Sequence, residues 1–149
     1  MTRNREIVWR PYVWGEPRAA KPHEIEALER EWGVTLPKEY KELVSEYQGM
    51  TPQPNVFSVG ATSESAINEL LTVTRDEGRE GYLALGVYQA LKPHVPKGIY
   101  PFASTPGGES VCFDYREGSL PPRIVLVSVE CDLYPLAESF SDFLAGLHD

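Results

Sequence analysis

The stretch that decides the fold is EIEALEREWGVTLPKEYKELVSEYQGM, residues 24–50. Ile25, Leu28 and Trp32 recur at helical spacing, and Gly33 stops that run. Leu36-Pro37 restarts the chain. Tyr40, Leu43, Val44 and Tyr47 then fall at i, i+3, i+4 and i+7, and Gly49 closes the second run. This spacing predicts two short amphipathic helices, from about Pro22 to Trp32 and from about Pro37 to Gln48. Neither apolar stripe carries a catalytic group. Pro22 suits a first helical turn, and the early glutamates suit the positive end of the helix dipole.

Upstream, Ile7-Val8-Trp9 and Tyr12-Val13-Trp14 read as short strands that Pro11 and Pro17 confine to edges. Trp9 and Trp14 are too large to leave idle, so residues 1–21 are expected to form an arm docked on the core. Downstream, Thr51–Asn55 reads as a loop and Val56–Val59 as a strand. Ser65–Thr74 fits a helix through Ala66, Leu70 and Val73, and a strand through Leu70, Thr72 and Thr74. Residues 75–80 form a charged patch, and Tyr82–Leu91 reads as a short buried helix ended by Pro93 and Pro96.

The last third has a clearer grammar. Ile99–Ala103 reads as a strand, Thr105–Gly108 as a turn, and Glu109–Tyr115 as a strand with Val111 and Phe113 on one face and Cys112 and Asp114 on the other. Another turn covers Glu117–Pro122. Ile124–Val129 has the near-continuous β-branched character of a strand buried on both faces. Leu136–Leu147 reads as a closing helix with Phe140, Phe143, Leu144 and Leu147 on its stripe and Ser139 with Asp142 resembling a capping box. A helix pair, strands in hairpin order and a closing helix make an α+β arrangement with an antiparallel sheet.

At 149 residues the chain is expected to be one domain, 1–149. A chain of this length buries roughly 68–70% of its unfolded surface, enough for a core without metal or disulfide. The net charge is −8. The arm carries +3, from Arg3, Arg5, Arg10, Arg18 and Lys21 against Glu6 and Glu16, which leaves −11 on the other 128 residues. Such a body repels phosphate backbones and attracts a basic protein partner. Cys112 and Cys131 show no CxxC spacing and are expected to be buried thiols in a reducing cytoplasm. The opening residues lack the apolar core of a signal peptide, and no apolar run reaches membrane-spanning length.

The search for chemistry returns little. His23, His94 and His148 have no Cys, Asp or Glu at metal-ligand spacing, so no metal or other cofactor is expected. The nucleophile elbow, the zinc helix and the phosphate loops are all missing. Thr105–Ser110 is glycine-rich but precedes a strand, as a hairpin turn does. Asp114, with Glu109, is the enzymatic alternative as an acid–base group, although a carboxylate so placed more often binds backbone amides in a turn. The surface candidates for a partner are Glu64, Glu69, Asp76, Glu77, Glu80, Glu130, Asp132 and Tyr134, the last an aromatic anchor beside negative charge.

Three patterns in register resemble the SMI1/KNR4 domain of the SUKH superfamily. The first is Glu29, Gly33, Leu36, Pro37, Tyr40 and Val44, followed by Gly49. The second is Tyr100-Pro101-Phe102-Ala103, Gly107-Gly108 and Val111-Cys112-Phe113-Asp114; the third is Leu136-Ala137, Ser139-Phe140 and Phe143-Leu144. The match runs from about 22 to 147. It departs where the family usually has Asn-Gly and this chain has Gln48-Gly49, and where Thr105-Pro106 precedes the paired glycines. The resemblance implies an antiparallel sheet with flanking helices and a non-catalytic role. Many bacterial members look like immunity proteins that neutralise polymorphic toxins, often nucleases, while fungal members act as interaction hubs in cell-wall signalling. The expected function is thus a cytoplasmic immunity protein occluding a toxin's active site, with a regulatory or scaffold protein for an endogenous partner as the alternative.

Overall fold

The structure is a computed structural model that describes residues 6–118 and 121–149. Helix α1 spans Pro22–Trp32 and α2 spans Lys38–Tyr47. The Glu24 carboxylate accepts from the Lys21 amide at 2.9 Å, covering an amide at the helix start that would otherwise lack a partner. Gly33 ends α1 in the left-handed region at φ 71°. Glu29 then organises the link between the helices. It accepts from the Leu36 amide at 2.7 Å and pairs with Lys41 at 3.1 Å.

The strands are β1 (Val8–Pro11), β2 (Met50–Gln53), β3 (Val56–Val59), β4 (Ser63–Ala66) and β5 (Glu69–Leu70). After α3 (Ala84–Leu91) come β6 (Ile99–Ser104), β7 (Ser110–Asp114), β8 (Arg123–Val127), β9 (Leu133–Ala137) and the short helix α4 (Phe140–Ala145). Strands β5 to β9 form one antiparallel sheet in sequence order, while β1–β2 and β3–β4 form two antiparallel ribbons.

The main core lies on one face of that sheet, where Phe102, Val111, Phe113, Ile124 and Leu126 meet the buried stripes of α1, α2 and α4. Tyr40 sits edge-on to Phe102, Phe113 and Phe140 at 6.0, 5.0 and 5.7 Å. Two phenols pin the helix link to the sheet: Tyr100 donates to the Trp32 carbonyl at 3.1 Å and Tyr115 to the Thr35 carbonyl at 2.6 Å. On the other face Ile99, Cys112, Val125 and Val127 are covered by Leu91 and Val95.

The Tyr40 hydroxyl is fully buried and has no hydrogen-bond partner among the described residues. Its desolvation is therefore uncompensated. Tyr40→Phe is expected to leave urea-measured stability unchanged or raise it by about 1 kcal/mol. A loss of that size instead would reveal a hydrogen bond to the hydroxyl.

Several elements differ from the sequence expectations. Thr51-Pro52-Gln53 is not loop but part of β2, paired with the arm through Arg10↔Thr51 and Trp9↔Pro52. A two-stranded ribbon bonds each strand on one side only, so it tolerates Pro11 and Pro52. The ambiguous 65–74 segment is extended, because its backbone completes the sheet beside β6, with the Leu71 amide on the Phe102 carbonyl at 2.9 Å. Helix α3 starts at Ala84 and buries only that residue, since Leu85, Val87 and Tyr88 lean on one core cluster and Leu91 on the other. The closing helix is shorter than expected. Leu136 and Ala137 belong to β9, and Ser139 caps α4 by accepting from the Asp142 amide at 3.1 Å. The turn expected over Glu117–Pro122 includes two residues outside the described ones.

Gly49 follows α2 at φ 73°, and a β-carbon there would stand 3.2 Å from both Thr72 and Val13. Its amide donates to the Leu70 carbonyl, and its carbonyl accepts from Val13, both at 2.9 Å. One residue thus joins the arm, α2 and β5, where only glycine fits.

Candidate functional site: acidic surfaces and the cleft beside the first helix

Glu109 and Asp114, the enzymatic alternative, sit at opposite ends of β7. Asp114 accepts from the Arg116 amide at 2.9 Å and from its guanidinium at 2.9 and 2.8 Å. Burial raises its pKa, but the Arg116 hydrogen bonds and charge outweigh that and hold the carboxyl below its ordinary range. It is a turn ligand in this structure. Cys112 is fully buried, which pushes its thiol well above the ordinary value, away from nucleophilic use. Cys131 is only half-buried, contrary to expectation, and occupies the β8–β9 turn at φ 70°. Among the described residues, no cluster of histidine, cysteine and carboxylates could hold a metal. No helix there is long and apolar enough to cross a membrane.

The glycine pair of the second motif serves the β6–β7 hairpin. The Gly108 amide donates to Thr105 at 3.1 Å and the Thr105 amide to Glu109 at 3.0 Å. The remaining motif residues Leu36, Tyr40, Phe102 and Phe140 are core, and Pro37 precedes α2 as its cap.

The acidic candidates do not form one surface. Glu69 is 1% exposed, inside the protein and out of reach of a partner. Its carboxylate accepts from Ser104 at 2.7 Å and Asn68 at 2.9 Å, yet burial outweighs both bonds and raises its pKa. A folded acid with a raised pKa loses its contribution to stability as pH rises through that value. Glu69→Gln keeps an acceptor and removes the charge. It is expected to raise stability at neutral pH, the gain shrinking toward acid pH in paired urea titrations.

Asp76 is also committed internally. It accepts from the Trp14 indole at 2.8 Å and pairs with Arg18 and Arg79 at 3.4 and 3.2 Å. The indole hydrogen bond, then the two guanidiniums, hold its carboxyl below the ordinary range. Arg79 reaches the Val13 carbonyl, and Arg18 lies over the Trp14 ring at 4.6 Å. This clasp fastens the arm to the charged patch. It was missed in the sequence because its partners are 62 residues apart, although a buried indole N–H calls for an acceptor.

The other candidates are exposed. Glu64 on β4 pairs with His148 at 3.6 Å. Glu130 and Asp132 occupy the β8–β9 turn between Val129, 65% exposed, and Tyr134, 43% exposed. That turn lies at the sheet end marked by Ser104, Ser110 and Val127, whereas the chain leaves β5 toward the other end before reaching Glu77 and Glu80. These last two line a hollow of about 270 Å³ with Arg75, Asp76 and Leu83. A second hollow of about 260 Å³, sharing Arg75 and Leu83, runs under α1 along Leu28 and Val73 beneath Glu24 and Glu31. Sequence reasoning placed Glu24 and Glu31 on a helix but not on this rim.

An antiparallel sheet packed under an N-terminal helix pair and a C-terminal helix defines a mixed α+β domain of the helix-flanked antiparallel-sheet class. The model of the SMI1/KNR4 family (SUKH-1) matches residues 19–146, and the chain belongs to that family. Members are often immunity proteins, are generally non-catalytic and typically bind protein partners. No curated protein matches the chain.

Proposed function

We propose that this protein is an immunity protein, a non-catalytic module that binds and neutralises a polymorphic toxin of basic, nuclease-like character by covering its active site. The observation that carries the reading is the unspent acidic charge on this family frame. Glu31, Glu77, Glu130 and Asp132 are exposed and make no ion pair among the described residues. A nuclease must hold phosphate and so presents cations, which such a surface attracts and covers. The free thiols fit action in the cytoplasm.

The test is binding to any C-terminal toxin domain that proves to be encoded beside this gene, measured at low and high salt. Tight binding that abolishes toxin activity is expected, with association slowed about tenfold or more by salt and dissociation changed far less. Failure to bind, or association indifferent to salt, overturns the reading and favours a scaffold for an endogenous partner.

A further inference from the structure

We infer that the cleft between α1 and the Thr72–Leu85 segment seats a basic segment of the partner, with lysine or arginine stems on Leu28, Val73 and Leu83 and their cationic heads at Glu31, Glu77 and Glu80. This rests on the protein-binding reading above and assigns it a place. Each lobe, about 260 and 270 Å³, falls below the roughly 300–1,000 Å³ of small-molecule pockets and suits single side chains. One lobe sets Leu28, Val73, Leu83 and Leu85 beside Glu24, Glu31 and His23, and the other sets Leu83 among Asp76, Glu77 and Glu80. Such a lining of apolar surface next to carboxylates matches a side chain with an alkyl stem and a charged tip.

The rim charge is available. Glu31 and Glu77 have no partner among the described residues, and Glu80 accepts only from the Gly78 amide at 3.2 Å. Glu24 and Asp76 are already engaged and act as wall rather than as hands. Arg75 stands where the lobes meet, with no partner among the described residues. It excludes a cation from the waist and so sets the spacing of the two it admits. The larger groove of about 770 Å³ beside Pro37 and Phe140 carries Lys38 and Lys41 and lacks this complementarity.

The experiment follows backbone amide shifts while an acetylated, amidated peptide of alternating lysine and leucine is titrated in. A glutamate–leucine peptide serves as control. Saturable shifts centred on Glu31, Val73 and Leu83 are expected with the lysine peptide alone. Glu31→Lys with Glu80→Lys should weaken it about tenfold or more. Glu130→Lys with Asp132→Lys should not, and Arg75→Ala should tighten it. All these side chains are exposed, and thermal melts verify that each variant folds. Absence of saturable shifts, shifts centred on Val129–Tyr134, or equal binding by all variants overturns the assignment. The toxin-domain assay on the same variants separates the two claims. A toxin held equally by wild type and cleft variant removes the cleft and keeps the immunity reading; a cleft that takes the peptide while no toxin binds does the reverse.

Discussion

Replacing Phe102 with alanine is expected to lower the unfolding free energy by about 3–5 kcal/mol, the range for removing a buried aromatic from a packed core. Phe102 is 0% exposed and stacks on Phe113 at 4.4 Å. It also meets Tyr40, Phe140 and Phe143 at 6.0, 5.4 and 6.0 Å. Those rings come from α2, β7 and α4, so the void cannot close by moving one element. Against a total stability of about 5–15 kcal/mol for a domain, the variant should be largely unfolded in mild urea. Phe102→Leu should keep most of the stability. A Phe102→Ala protein that melts like wild type would show that the ring cluster is not the keystone of the core.

The second large effect is expected at Gln48, which is 0% exposed at the end of α2. Its oxygen accepts from the Val73 and Thr74 amides at 2.8 and 3.0 Å. Its nitrogen donates to the Thr74 hydroxyl at 2.8 Å and the Arg18 carbonyl at 3.2 Å. Thr74 in turn donates to Glu24 at 2.8 Å. One amide side chain thus ties α1, α2, the arm and the strand-exit segment together. Gln48→Leu keeps the volume and leaves two backbone amides without their acceptor, at about 1–3 kcal/mol for each buried group. A loss of about 2–4 kcal/mol is expected in chemical denaturation. Hydrogen exchange at Val73 and Thr74 should accelerate selectively, and unchanged protection there would refute the account.

The helix pair was legible because a 3.6-residue stripe and a left-handed glycine are local signals. So was β8, where Ile124 to Val127 are all buried. What stayed hidden was set by distant partners. Pro52 made β2 look like a loop until β1 supplied a ribbon that needs no inner amide from it. Leu136 continued the apolar spacing of α4, yet Ala137 was claimed by Ile124 across the sheet and the helix started late. Among the acidic candidates the letter Glu or Asp gave charge but not address. Glu69 went inside beside Ser104, Asp76 went to Trp14, and Glu31, read in the sequence only as a helix charge, came to line the hollow that adjoins the one lined by Glu80. Glu29 shows the converse. A motif letter acquires a physical meaning once its carboxylate is found on the Leu36 amide.

The clasp between the arm and the charged patch has an optical consequence. The Trp14 indole donates to a carboxylate that also forms a wall of the hollow beside Glu77 and Glu80. A cation held at Glu77 and Glu80 changes the field on that shared carboxylate and so on the indole bonded to it, which places an intrinsic fluorophore beside the hollow. With Trp9 and Trp32 replaced by phenylalanine, the emission of the remaining tryptophan becomes a label-free gauge of occupancy, fast enough to time the encounter as well as to titrate it.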